Sequence, residues 1–268
     1  MSDDDLLART IAFERDLVAR VSTRLVPFAG GIAYLNDGYR ERWDSNFLWV
    51  DETAVRDSTP ADALADEADQ VLGHAGLSHR EIRVDDDTYG RSIAAALARL
   101  GYGGDRLVVM ALRRAPDRPS VPGSAEEVDL TTLRPALEIV LGREPWGSSE
   151  ETVAMLADFR GELARHAGAR FFCARVDDEI ASMCELYVDG AIAQVEDVNT
   201  LEEFRNRGLA RAVVQLAVDE ALSAGAEMVF IHALDDDWPK HLYTKLGFDP
   251  IGYAWSFVRP SAPLKSPA

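Results

Sequence analysis

The segment Val198-Asn-Thr-Leu-Glu-Glu-Phe-Arg-Asn-Arg-Gly-Leu-Ala210 carries more information about this chain than any other. A strand-like run leads into it, and apolar residues at helical spacing follow from Gly208 to Ser223. The segment therefore predicts a strand, a short loop and a helix start, where free backbone amides bind phosphate well. Gly208 and Ala210 lack the bulk that would keep a pyrophosphate away from the backbone.

Charge around this helix start also favours a bound anion. Arg205, Arg207 and Arg211 lie close together in a chain whose formal net charge is -18. The alternative is that Gly208 is an ordinary turn residue and the arginines are a solvated helix start. The segment is not a Walker loop, because no Gly-Lys-Ser/Thr follows, and it lacks the glycine trio of a Rossmann fingerprint.

Composition restricts the class of protein. The chain has 268 residues, of which 47% are apolar and 28% charged, so it can form a core and one or two domains. No apolar run is long enough to cross a bilayer, and the N-terminus carries acid where a signal peptide needs base, which predicts a cytoplasmic protein.

The 46 acidic residues, against 28 Lys and Arg, predict that neither nucleic acid nor membrane is a partner. Such a surface would attract a cationic amine, or it is simply a solvated acidic surface. Cys173 and Cys184 lie in strand-like runs without metal-ligand spacing, so we expect small core residues and no metal site.

A proline-rich stretch divides the chain. Three prolines between Arg114 and Ser124 disfavour both helix and central strand. We therefore predict an N-terminal domain over residues 1–115, a linker over 116–124 and a C-terminal domain over 125–268.

The C-terminal half has the pattern of an α/β protein. Its predicted elements follow the order β α α β β β α β α β, which indicates a three-layer mixed sheet with helices on both faces. They are strand 126–130, helices 133–141 and 149–166, strands 170–175, 179–188 and 191–199, helix 208–223, strand 228–233, helix 238–246 and one or two strands over 248–259.

The N-terminal half repeats part of this order. A long helix over 4–25 is followed by strands 31–35 and 46–51, helix 60–73, strand 81–85, helix 91–100 and strand 106–112. Asp85-Asp86-Asp87 leads into a helix ending Arg99-Leu-Gly-Tyr102, as Asp235-Asp236-Asp237 leads into one ending Lys245-Leu-Gly-Phe248. The pattern indicates a partly degenerate tandem repeat.

Two motifs at this spacing resemble the GNAT superfamily of acetyl-CoA-dependent N-acetyltransferases. Arg205-x-x-Gly208-x-Ala210 is similar to the family's pyrophosphate loop, and Leu242-Tyr243-Thr-Lys-Leu-Gly-Phe248 is similar to the end of its later helix. The resemblance covers about residues 126–259.

The resemblance implies how acetyl-CoA, the expected cofactor, is held. Val198 and Thr200 would offer backbone groups to the pantetheine arm, as an added strand does. The backbone amides of the loop would surround the pyrophosphate, and two of its arginines would add charge. The loop consists of Arg205, Asn206, Arg207, Gly208, Leu209 and Ala210.

The resemblance also places Tyr243 where the family's general acid protonates the leaving CoA thiolate; otherwise Tyr243 is an aromatic packing residue. An attacking amine must first lose a proton. By alternation along the strand, Glu196 faces the cofactor cleft, which makes it our expected base, or else a structural partner of an arginine. A strand bulge would favour Asp197 instead. Glu185 and His232 are reserve candidates.

The N-terminal half departs from the family pattern. Near the start of helix 60–73 it has acids and Pro60 but no glycine, so we predict that this half binds no CoA and shapes the acceptor cleft or an interface. The stretch from Asn36 to Trp49 is rich in aromatic and polar residues, as pocket walls and hairpins both are.

The whole pattern predicts an N-acetyltransferase acting on a primary amine of a small molecule or peptide. We expect direct transfer in a ternary complex, because neither cysteine sits near the motifs, and a monomer or homodimer. The alternatives are a non-catalytic CoA-binding or scaffold protein with this fold and a mycothiol-synthase-like transferase acting on an amino sugar.

Overall fold

The computed structural model describes residues 2–119, 121, 123–144 and 149–260. Its helices are α1 (Asp3–Val21), α2 (Glu52–Arg56), α3 (Ala61–His74), α4 (Asp87–Arg99), α5 (Leu130–Arg143), α6 (Glu150–Ala167), α7 (Leu209–Ser223) and α8 (Pro239–Lys245). Its strands are β1 (Arg24–Phe28), β2 (Gly31–Leu35), β3 (Phe47–Val50), β4 (His79–Val84), β5 (Gly103–Leu112), β6 (Glu126–Val128), β7 (Arg170–Val176), β8 (Glu179–Asp189), β9 (Ile192–Thr200), β10 (Met228–Leu234) and β11 (Phe248–Pro260). Within these residues, no helix is both long and apolar enough to span a bilayer.

All eleven strands form one mixed sheet in the order β1-β2-β3-β4-β11-β5-β10-β9-β8-β7-β6. Near the middle, β5 of the N-terminal half lies between β10 and β11 of the C-terminal half. In return, β11 pairs with β4 of the N-terminal half. Each half therefore contributes its last strand to the other half. The boundaries at residues 115 and 125 stay a prediction, because this exchange interleaves the two halves in space.

Helices cover both faces of the sheet, which confirms the predicted three-layer α/β fold. On β11, Tyr253 packs with the cluster around α7 and α8, whereas Trp255 and Phe257 pack with the cluster around α3 and α4. These three side chains share one face by alternation, so all four helices cover that face. Helices α1, α5 and α6 pack together in the remaining large cluster, on the opposite face.

The N-terminal half departs from its predicted elements in two places. The first helix ends at Val21 instead of Leu25, because Ser22 is extended and its N–H donates to the Val18 carbonyl oxygen at 3.0 Å. Arg24 and Leu25 instead begin β1, an edge strand that contains Pro27; neither β1 nor the short helix α2 is predicted from the sequence. Edge strands accept proline because one side of their backbone has no ladder to maintain.

The repeat seen in the sequence is also present in the backbone. Gly101 after α4 and Gly247 after α8 both have left-handed backbones, with φ of 88° and 101°. A Cβ at Gly247 would lie 2.0 Å from the Arg114 carbonyl oxygen, so only glycine fits there. Arg106 forms ion pairs with Asp87 at 2.7 Å and with Asp235, and so joins the two aspartate triplets.

The aromatic stretch from Asn36 to Trp49 is a hairpin connection that packs on the C-terminal half. The Tyr39 ring lies 4.8 Å from the Phe159 ring of α6, and the Arg42 guanidinium lies 4.4 Å from the same ring. This packing connects the two halves on the face that carries α1 and α6.

Candidate active site

The sheet opens between β9 and β10. These parallel strands pair from Ile192 opposite Met228 to Val195 opposite Ile231, and β9 then continues to Thr200. Val198 and Thr200 lie in this continuation, where the described part of β10 provides no further partner. The opening leaves one edge of the β9 backbone available to an extended ligand.

A bulge lies in this continuation. Opposite β8, the register passes from Glu196 facing Glu185 to Asn199 facing Met183, so two β9 residues oppose Cys184. Asp197 is the bulged residue, with a φ of 53°. The bulge that the sequence left as an alternative is therefore present, and it re-aims the side chains beyond Glu196.

The carboxyl group of Glu196 has a pKa near neutrality. Its Oε1 accepts a hydrogen bond from Gln194 Nε2 at 2.8 Å. Burial raises the pKa of Glu196 to about 7, with His232 lowering it and Glu14 raising it further. A carboxylate with such a pKa can accept a proton near neutral pH, as a general base must.

Asp197 and Glu185 are both engaged by the buried guanidinium of Arg160. Arg160 Nε lies 2.5 Å from Glu185 Oε1, and Arg160 Nη2 forms an ion pair with Asp197. Burial acts to raise the pKa of Asp197, but Arg160 outweighs it and holds that pKa below its ordinary value. These two acids therefore have a cationic partner, whereas Glu196 has no ion-pair partner among the described residues.

Tyr243 lies on α8, buried among the side chains under α7 and α8. Burial, followed by the charge of Glu196, raises the pKa of its phenol above the ordinary value. The phenol therefore keeps its proton through the neutral range.

Cys184 lies closer to this site than the sequence predicted. It faces the β9 bulge, and the negative charge of its thiolate form would raise the pKa of Tyr243. Both cysteines are completely buried, which confirms their expected place in the core. Burial and the nearby Glu185 raise the pKa of Cys184 well above its ordinary value, so it is a thiol and a poor nucleophile.

The loop before α7 has an open helix start. Gly208 is the N-cap with a left-handed φ of 81°, and a Cβ there would have no atom within 4 Å. The Ala212 N–H donates to the Gly208 carbonyl oxygen, so the amides before Ala212 point out of the helix. By contrast, α5 and α6 are capped by the side chains of Asp129 and Ser149.

The three loop arginines have different roles. Arg205 and Arg207 are exposed; Arg205 pairs with Glu202 at 3.1 Å, and Arg207 lies over the Phe204 ring. Arg211 is buried and lies 2.7 Å from Asp117 in the proline-rich segment. The expectation of three arginines around one anion is therefore wrong for Arg211, which connects α7 to that segment.

No sequence pattern pointed to Glu14, which reaches the site from α1. Gln194 Nε2 donates to Glu14 Oε1 at 3.0 Å, and His232 Nδ1 lies 3.5 Å from the same oxygen. Strand alternation puts Gln194 on the same face as Glu196, but the residues of α1 have only the apolar spacing of an amphipathic helix. Only the packing of α1 on the sheet brings Glu14 there.

The N-terminal counterpart of the loop has a different helix start. Helix α3 follows Pro60, which provides no side-chain cap, and Asp62 lies in its first turn. Proline removes one amide and the carboxylate repels anions. These features agree with the expectation that this half binds no CoA.

Comparison with known proteins identifies the C-terminal half. Residues 133–248 match the model of the acetyltransferase (GNAT) family. No protein of curated function matches the sequence.

Three solved structures resemble nearly the whole chain. A functionally unknown conserved protein from Staphylococcus epidermidis is 11% identical with a TM-score of 0.68, and 90% of this chain and 95% of that chain are covered. A GCN5-related N-acetyltransferase from Kribbella flavida is 18% identical with a TM-score of 0.63. The match covers 95% of this chain and 96% of that chain. A tandem GNAT protein from the clavulanic acid biosynthesis pathway is 16% identical with a TM-score of 0.57. The match covers 99% of this chain and 98% of that chain. Identities this low show the fold alone, and that fold confirms the tandem arrangement.

Proposed function

Residues 133–248 form a domain of the acetyltransferase (GNAT) family, and we propose that the chain is an N-acetyltransferase that moves the acetyl group of acetyl-CoA to a primary amine. The transfer is direct, within a ternary complex. The observation that supports this proposal most directly is that β9 separates from β10 just beyond Val195, next to Glu196 and ahead of the uncapped start of α7.

Acetyl-CoA is the family's usual acetyl donor, and the site fits it. The free backbone edge at Val198 and Thr200 suits the amide groups of pantetheine, which would pair as an added strand. The amides at Gly208, Leu209 and Ala210, with the exposed Arg205 and Arg207, suit a pyrophosphate. Asn206, with a φ of 64°, turns the backbone within this loop.

Glu196 and Tyr243 provide the two proton transfers. Glu196 accepts the proton that the amine must lose, the nitrogen forms a bond to the acetyl carbon, and the carbon–sulfur bond breaks. The Tyr243 hydroxyl then gives its proton to the departing thiolate. No covalent enzyme intermediate is needed, because the buried Cys184 is held as a thiol.

We assign the N-terminal half, residues 1–115, to the acceptor side of the site without a second CoA. Titration calorimetry should give one acetyl-CoA per chain. Two equal sites would contradict this assignment.

The test of the function is a thiol-release screen of the full chain with acetyl-CoA and a broad panel of primary amines, including polyamines and amino sugars. We expect amine-dependent CoA release that is lost in Tyr243→Phe. Tight acetyl-CoA binding without release for any amine would show a non-catalytic binder instead.

A further inference from the structure

The half-buried polar cluster beside Glu196 contains a second carboxylate, that of Glu14. One carboxylate oxygen each of Glu14 and Glu196 and one ring nitrogen of His232 all lie within 4.8 Å of one another. The two hydrogens of Gln194 Nε2 are divided between Glu14 at 3.0 Å and Glu196 at 2.8 Å. One amide therefore holds both carboxylates at a fixed separation.

The cations near this pair are bound elsewhere. Arg15 pairs with Asp85 at 3.2 Å, and Asp85 also accepts a hydrogen bond from Trp49 Nε1 at 2.7 Å. Arg83 pairs with Glu81 at 2.7 Å. Among the described residues, neither carboxylate of the pair has a Lys or Arg ion-pair partner.

Burial lowers the pKa of the remaining neighbour, His232, although the charges of Glu196 and Asp85 act to raise it. Asp85 adds negative charge on the Glu14 side, and Arg83 partly offsets it. Two half-buried carboxylates this close, without a Lys or Arg partner, resist ionising together, which favours a proton shared between them.

We propose that Glu14, supplied by the N-terminal half, is a positioning residue that shares a proton with Glu196 through Gln194 and so sets the pH range in which Glu196 accepts the proton of the amine. This inference rests on the proposed function. It also gives α1 a role in the chemistry of the C-terminal half.

Burial and the repulsion of Asp85 raise the pKa of Glu14 to about 8, close to the value of about 7 for Glu196. Two interacting groups with such similar values titrate as a pair. In the wild type, the loss of the first proton leaves the negative charge divided between both groups. Glu196 is fully ionised only after the second proton leaves.

The experiment is the pH profile of kcat/KM for wild type and Glu14→Gln, with the best amine of the screen. Removing the Glu14 charge should move the acidic limb to lower pH by about one unit, since coupled groups interact by about that much. The matched control is Asp16→Asn on the exposed side of α1, which should leave the limb in place. A merely structural role for Glu14 would lower the rate without moving the limb.

A second measurement does not depend on whether Glu14→Gln folds. In wild type labelled with ¹³C at the glutamate carboxyls, two carboxyl signals should titrate together well above the ordinary glutamate pKa, and Glu196→Gln should leave one of them. Two independent titrations, or an unmoved acidic limb in an active Glu14→Gln enzyme, would overturn the inference. Activity lost on chelation and restored by Zn²⁺ would also overturn it. An inactive wild type with every amine would instead refute the proposed function.

Discussion

Among the acids near the opening in the sheet, the partner of each side chain decides what it can do. Glu185 and Asp197 share the buried Arg160, whose single positive charge partly compensates the two carboxylates. Glu196 accepts hydrogen bonds from Gln194 Nε2 and the Asp197 N–H but has no Lys or Arg partner among the described residues, so burial keeps its pKa high. Sequence alternation selected Glu196, and the location of Arg160 explains why it is preferred over Asp197.

Replacing Glu196 by Gln should lower kcat/KM by about 10²- to 10⁴-fold, the usual contribution of a general base. Acetyl-CoA binding should persist, because the backbone of β9 is unchanged. Thiol release and calorimetry measure the two effects, with the exposed Glu179→Gln as the control. Wild-type turnover in Glu196→Gln would exclude Glu196 as the base.

The wild-type rate should increase with pH through about 7, since burial raises the pKa of Glu196 to about 7 and the base acts in its ionised form. Below that pH the carboxyl is protonated and cannot accept the proton of the amine. A kcat/KM profile that is flat between pH 5.5 and 8 (roughly the range in which a raised carboxyl titrates) would contradict this assignment.

Tyr243→Phe should slow acetyl transfer and leave acetyl-CoA affinity within about threefold of wild type, because only a hydroxyl is removed from a buried ring. Thiol release measures the rate, and calorimetry measures the acetyl-CoA affinity. An unchanged rate would reduce Tyr243 to a packing residue, as its contact with Phe248 alone would suggest.

At the scale of elements, the turn between β9 and α7 is the feature that distinguishes the two halves. Gly208 opens α7 in a left-handed conformation with open space around it, whereas α3 opens with Pro60 and an acid in its first turn. Both helices pack on the same face of the sheet. The proposed anion site at α7 therefore depends on the first residues of this helix and not on its packing.

Gly208→Glu should abolish acetyl-CoA binding, because a carboxylate would occupy the place of the pyrophosphate. The variant also strains a left-handed backbone by about 1 kcal/mol. Gly190→Glu controls for that strain: its φ is 56°, its surroundings are equally open, and it lies in the turn between β8 and β9. Calorimetry should show binding for Gly190→Glu alone; loss in both variants would point to general destabilisation.

At the scale of the whole molecule, the exchange of β5 and β11 makes the two halves one folding unit. The core under α7 and α8 includes Val108 and Met110 of β5. Phe257 of β11 is completely buried in the core under α3 and α4. Each half therefore lacks part of its core when the other is absent.

Residues 125–268 expressed alone should not fold, because β10 would lose a neighbour and β11 would lose both neighbours, leaving open sheet edges. The full chain should unfold in a single thermal transition. Circular dichroism checks both expectations. A folded, acetyl-CoA-binding 125–268 fragment would show that the exchange is dispensable.

The sequence by itself determined the order of elements in the C-terminal half, the loop at Gly208 and the position of Glu196, because each depends on a local pattern of apolar spacing, turn residues or strand alternation. Only the tertiary structure decided that Arg211 turns away from the loop, that β5 and β11 exchange, and that Glu14 stands beside Glu196. Those features are contacts between residues far apart in the chain: Glu14 and Gln194 are 180 positions apart. Local patterns fix how a segment folds, whereas packing of distant segments fixes which charges meet.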